Sequence, residues 1–200
     1  MKALWKDGTG NVLLTENRRI TLTPLPPLAP SDATKLEPLP TNHLWRIDID
    51  SELIAAKEPV PIGATPFGFL GVRMAKTIGV LDGGGQITNS EGGINEEGCF
   101  RKPARWVDYS GPITRNADEG ITLMDHPDNL HHPVEFHVRN DGWMGAATTF
   151  RSAHTILPGQ PFRLRHGLLV HAGPANPTLI EDEWKRFANS TFEPFGKKRP

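Results

Sequence analysis

Apolar and polar residues alternate with a period of two through much of this chain. In HLWRIDIDSELIAA (43–56), Trp45, Ile47 and Ile49 alternate with charged residues. This period sends successive side chains to opposite faces of a β-strand, so the segment is predicted to be a strand with one polar face. Residues 3–23 carry two short apolar segments around the turn sequence DGTGN, which predicts a β-hairpin.

Further strands are predicted at 67–76, 102–111, 119–127 and 132–142, and the segment 149–173 is predicted to contain a turn at PGQP and one further strand. Within 102–111, Val107 and Tyr109 face the opposite way from Trp106 and Asp108, and the strand is expected to end at Gly111. The strand at 132–142 separates an apolar face of Val134, Phe136 and Val138 from a polar face of Glu135, His137 and Arg139. His166 and His171 have opposite parity in the last strand, so only one of them is able to face a given pocket.

The only convincing helix is predicted at 176–189, where Asn176 is a good N-cap and Pro177 suits the first helical position. The proline-rich segment 24–42 is predicted to be a connector, and the glycine-punctuated segment 80–100 a flexible hairpin or a loop covering a site. Many short strands without alternating helices predict an all-β fold, an antiparallel β-sandwich with one C-terminal helix, as a single domain over 1–200.

Composition and charge limit the kinds of partner that the protein is expected to bind. The net charge is −1, with 22 basic and 23 acidic residues, so no nucleic-acid partner is expected. No apolar run of 18 residues exists, so no membrane partner is expected either. The N-terminus is polar where a signal peptide needs its apolar core, which favours a soluble cytoplasmic protein. The single Cys99 excludes an internal disulfide and a multi-cysteine zinc site.

Candidate chemistry concentrates in residues 105–139, which hold four of the eight histidines. A histidine with a pKa near neutrality is suited to proton transfer, and a nearby carboxylate orients or complements it. The catalytic candidates are His126, Asp125, His132, Glu135 and His137. The alternative is a solvated strand face. No dedicated metal-ligand spacing such as HExxH occurs, so neither a metal nor a cofactor is expected.

Aromatic and basic residues supply candidates for ligand binding. Arg73 is predicted to share a strand face with Phe67 and Phe69, either as an edge residue that extends into solvent or as a hydrogen-bond donor in a pocket. Trp106 and Tyr109 are able to stack on the C–H face of a sugar ring, or they belong to the core.

Several motifs together resemble a known family. RWVDYSG, EGITLMDHPDNLHHPVEFHVRNDG and RLRHGLLVHAG, preceded by FGFLGVRMA and GQITNSEG, are similar to bacterial proteins labelled "PmoA family protein" or "methane oxygenase PmoA". The likeness extends over most of residues 3–189. Family members are usually longer at the N-terminus, so the chain resembles their C-terminal two thirds, which leaves a periplasmic location open. The strand pattern also looks similar to the galactose-mutarotase-like supersandwich of aldose epimerases and carbohydrate lyases and hydrolases.

The resemblance implies a carbohydrate ligand and a set of site residues. Substrate binding is implied for Arg73, Asn89, Trp106, Tyr109, Asn129, Arg139 and His171. A mutarotase-like mechanism would use His126 or His132 as the acid and Asp125 or Glu135 as the base. Two alternatives stay open: a non-catalytic sugar-binding or scaffold module, and a metal-dependent oxidoreductase in keeping with the family label. Methane oxidation is not expected, because that chemistry belongs to integral membrane proteins.

Overall fold

The computed structural model describes residues 1–26 and 43–196. Along the chain these residues form β1 (Lys2–Lys6), β2 (Val12–Pro24), β3 (Leu44–Ala55), β4 (Val60–Ile62), β5 (Gly71–Arg73), a 3₁₀ turn (Lys76–Ile78), β6 (Gln86–Asn89), α1 (Asn95–Cys99), β7 (Lys102–Pro103), β8 (Trp106–Thr114), β9 (Ala117–Asp125), β10 (Glu135–Arg139), β11 (Trp143–Ala147), β12 (His154–Ile156), β13 (Phe162–Ala172) and α2 (Pro177–Ala188).

These strands build three antiparallel sheets. The larger sheet has seven strands in the order β1-β2-β3-β13-β9-β8-β6, and the smaller has four in the order β5-β11-β10-β7. Strands β12 and β4 form a two-stranded sheet. The predicted all-β antiparallel sandwich with one C-terminal helix is confirmed, and so is the hairpin of β1 and β2.

The main core lies between the larger and smaller sheets. Tyr109 and Leu123 of the larger sheet pack with Phe136, Val138 and Met144 of the smaller one, and all five are fully buried. The predicted alternation of β10 is therefore confirmed, because its apolar face closes this core.

The opposite face of the larger sheet is covered by α2. Ile180 and Phe187 of the helix are fully buried against Trp106, Met124 and Leu169. Asn176 caps the helix as predicted, because its side chain accepts a hydrogen bond from the Leu179 amide at 3.1 Å.

Two predicted strands differ from the structure. Of residues 67–76 only Gly71–Arg73 form a strand, because the preceding chain crosses the smaller sheet so closely that a Cβ on Gly68 would lie 1.7 Å from the Ala146 carbonyl oxygen. Phe67 and Arg73 nevertheless line one cleft, whereas Phe69 packs against Phe162.

The strand predicted at 102–111 is split between the two sheets. It contributes β7 to the smaller sheet and β8 to the larger one, and β8 continues beyond Gly111 to Thr114. A short helix, α1, also lies in the segment predicted as a loop, where five residues are too few for a helical period to show. The predicted connector at 24–42 lies almost entirely outside the described residues; Pro24 ends β2.

Candidate functional site

An open cleft of about 380 Å³ lies on the outer face of the smaller sheet. It is lined by Phe67, Arg73, His137, Arg139, Asp141 and Trp143, a set we call the Trp143 cleft. Three of the predicted site residues, Arg73, His137 and Arg139, therefore meet in one place.

The pairing of three strands places the charged residues on either side of the tryptophan. Trp143 of β11 lies in register with Arg139 of β10 and with Arg73 of β5. Because neighbouring strands are about 4.8 Å apart, the two arginine backbones are separated by about 10 Å, with Trp143 between them. The β10–β11 turn ends at Gly142, whose φ of 96° favours glycine.

Two glycines let the Trp143 indole lie along the sheet. Gly145 and Gly71 form the next row of the same face, in register with His137. A Cβ on Gly71 would come within 2.4 Å of the indole ring, so the ring occupies the space that a side chain would take. The indole Nε1 is buried and has no hydrogen-bond partner among the described residues. The ring thus forms an aromatic floor for the cleft.

Charged and aromatic groups form its walls. The Arg73 guanidinium lies over the Trp143 ring, 5.4 Å from its centroid, and pairs with Asp141 at 3.3 Å, while Arg139 pairs with Glu96 at 3.0 Å. The His137 ring stacks on Phe67, with 4.8 Å between centroids.

His137 is held neutral at the wall of the cleft. Burial lowers the pKa of the imidazole, and the positive charges of Arg139 and Arg101 lower it further. The Pro66 carbonyl and the Glu96 carboxylate oppose these effects without reversing them. At neutral pH the ring is therefore uncharged.

A second group of predicted residues forms a carboxylate–imidazole dyad at the end of β9. The fully buried Asp125 carboxylate lies 2.6 Å from Nδ1 of His132. The same oxygen accepts a hydrogen bond from the Val134 amide, and the other oxygen accepts one from Asn129 at 2.7 Å. The His132 ring is stacked in parallel with Trp184 of α2. We call Asp125 and His132 the dyad; neither lines the Trp143 cleft.

His126 is adjacent in sequence but has a different environment. Its buried ring packs edge-on against Phe187, and Nε2 lies 2.9 Å from the Arg165 guanidinium. Burial and the charge of Arg165 lower the pKa of His126. The ring is thus enclosed beneath α2 and the residues that follow it.

His171 forms a buried ion pair on the helix-facing side of the larger sheet. Its Nε2 lies 2.8 Å from Asp108, which also accepts a hydrogen bond from Thr122 at 2.7 Å. Burial alone would lower the pKa of His171, but the hydrogen bond and charge of Asp108 outweigh it and raise the pKa. Gly120 makes room, since a Cβ there would lie 2.5 Å from the imidazole.

The other predicted site residues take part in internal contacts. Asn89 accepts amide hydrogen bonds within its own turn, and Trp106 donates to Glu181 from the helix-facing core. Tyr109 accepts from the Val80 amide and donates to the Asn140 carbonyl. Glu135 accepts a hydrogen bond from Arg151 at 2.7 Å.

Sequence reasoning missed Trp143, which is central to the cleft, and Trp184, which stacks on the dyad. The sequence Arg-Asn-Asp-Gly-Trp held a signal for Trp143. An Asp-Gly turn after the strand ending at Arg139 would pair Arg139 with Trp143 and place both side chains on one face. No such signal in the sequence connects Trp184 with His132, because their contact depends on how α2 packs.

A model of the family of unknown function DUF6807 matches residues 1–185. The chain belongs to this family. The DUF6807 match covers both the Trp143 cleft and the dyad, and its description assigns no activity to either. No curated protein matches this DUF6807 chain. No solved structure matches it either.

The described residues contain neither a cluster of metal ligands nor a membrane-spanning helix. Across 1–26 and 43–196, no three or more His, Cys, Asp or Glu side chains are grouped so as to hold a metal ion. None of the helices in the same ranges is long and apolar enough to span a membrane.

Proposed function

We propose that this DUF6807 protein binds a carbohydrate in the Trp143 cleft. The observation that carries the proposal is the Trp143 indole lying along the sheet between two arginines. An aromatic face matches the apolar C–H face of a pyranose, and a polar rim provides donors for its hydroxyl groups.

The rim supplies the hydrogen-bonding groups that a sugar needs. Arg73 and Asp141 are both more than half exposed, so donors and acceptors are accessible at the mouth of the cleft. The family match assigns neither the PmoA name nor a mutarotase-like fold. Both resemblances are therefore part of this proposal.

Replacing Trp143 by Ala is expected to weaken sugar binding by at least about thirtyfold, since a tryptophan at the centre of a binding site typically contributes about 2 kcal/mol or more. Isothermal titration of the purified chain with glucose, galactose and their uronic acids measures the effect. The matched control is Trp45→Ala, because Trp45 is a partly exposed tryptophan of the larger sheet. Equal affinities of the wild type and Trp143→Ala would contradict the proposal.

A second candidate function is acid–base catalysis by the dyad, favoured by the 2.6 Å contact between Asp125 and His132. With Nδ1 donating to the carboxylate, Nε2 of His132 is left as a proton acceptor. In anomer exchange, such a base takes the proton of the C1 hydroxyl, the bond between C1 and the ring oxygen breaks, and water protonates the ring oxygen. Asp125 is fully buried, so in this reaction it positions His132 rather than touching the sugar.

A further inference from the structure

We propose that the ligand of the Trp143 cleft is a sugar acid, whose ring stacks on Trp143 and whose carboxylate is held by Arg73 or Arg139. This inference rests on the proposed sugar binding and adds the chemical class of the ligand. Three steps support it: the charge balance, the available donors and the weakness of the existing ion pairs.

The charge balance around the cleft is positive. The charged side chains that line it are the two guanidinium groups of Arg73 and Arg139 and the carboxylate of Asp141. The excess is one positive charge, which a single carboxylate neutralises. A phosphate monoester, with a charge of about −1.5 to −2, would overcompensate it.

Arg73 and Arg139 at the rim both have guanidinium N–H groups available to a ligand. A guanidinium carries five N–H donors in a planar fork that matches a carboxylate. The hydrogen bond from Arg73 to the Asp141 carbonyl uses Nη1, and the ion pair of Arg139 with Glu96 also involves Nη1. Because the two arginines lie on opposite sides of Trp143, a ring stacked on the indole brings its carboxylate near one of them in either orientation.

The existing ion pairs present little competition. The side chains of Arg73 and Arg139 are 57% and 49% exposed. Ion pairs at this exposure contribute little to stability, so exchanging one for a ligand carboxylate costs little.

The pKa of His137 depends on the charge of the ligand that binds in the Trp143 cleft. The His137 ring faces Phe67 and Phe100, and the charges that act on it are those of Arg139, Arg101 and Glu96. A bound carboxylate offsets the field of the arginines and raises the pKa of His137. A neutral sugar only removes water and does not raise it.

The experiment compares galacturonate with galactose and glucuronate with glucose by calorimetric titration at low salt. We expect each acid to bind about tenfold more tightly than its neutral partner, with the difference shrinking as salt is added. NMR titration should show the pKa of His137 rising with the acid only. Arg139→Gln together with Arg73→Gln should abolish the preference, so that the acid and its neutral partner bind with equal affinity, whereas the control Arg115→Gln, an exposed residue of the β8–β9 turn, should leave the preference unchanged.

The possible results distinguish a failure of the sugar-acid proposal from a failure of the proposed sugar binding. Equal affinity for acid and neutral sugars would overturn the inference and leave sugar binding intact. Tighter binding of glucose 6-phosphate than of glucuronate would overturn the choice of a carboxylate. If no sugar binds in a Trp143-dependent way, both proposals fail.

Discussion

Replacing Asp108 by Asn is expected to lower the free energy of unfolding by about 3–5 kcal/mol, the usual effect of breaking a buried ion pair. The change leaves His171 buried without the carboxylate that compensates its charge. Thr122 also loses the charged acceptor of its hydrogen bond. Urea unfolding followed by tryptophan fluorescence measures the difference.

The pH dependence of this effect has a definite sign. The folded-state pKa of His171 is raised, so its contribution to stability is fully present below the unfolded value of about 6.5 and is lost as the pH rises through the folded value. The gap between wild type and Asp108→Asn should therefore be larger at pH 5.5 than at pH 9. The control is Asp118→Asn, an exposed residue of β9 for which we expect a change within about 0.5 kcal/mol. A gap that grows with pH would contradict the account of this ion pair.

Replacing His132 by Ala is expected to lower the rate of anomer exchange by about 10²–10⁴, the usual contribution of a positioned acid–base group. The assay follows the anomeric signals of glucose, galactose and their uronic acids by NMR. Asp125→Asn should also slow exchange, because the imidazole loses the carboxylate that fixes its tautomer.

Controls separate chemistry from folding in this experiment. His154→Ala removes a histidine that packs on Phe162, away from the dyad, and should leave the rate unchanged. Exchange no faster than in buffer with the wild type, or an unchanged rate in His132→Ala, would rule out the dyad as the catalytic group.

Much of the fold follows from the period-two pattern. The burial of Val134, Phe136 and Val138 and the capping of α2 by Asn176 were predictable, because both depend on residues close in sequence. The switch of sheets between β7 and β8 was not predictable. It depends on which distant strand each half pairs with, and local alternation looks the same in either sheet.

The candidate site was only partly predictable for a similar reason. The polar face of β10 indicated His137 and Arg139, but periodicity does not separate a solvated face from a binding surface. The difference is made by Trp143 and the glycines beneath it, which come from β11 and β5. Conversely, His126 and His171 have residue types suited to catalysis, yet tertiary packing encloses both.

The most direct test of the central claim is to follow the indole N–H signals of ¹⁵N-labelled protein during titration with each of the four sugars. The chain has five tryptophans, and Trp143→Phe identifies the signal of Trp143 by its disappearance. Binding in the cleft predicts that this signal shifts in a saturable way while that of Trp45 stays in place. A Trp143 signal that does not move at saturating sugar would contradict the account.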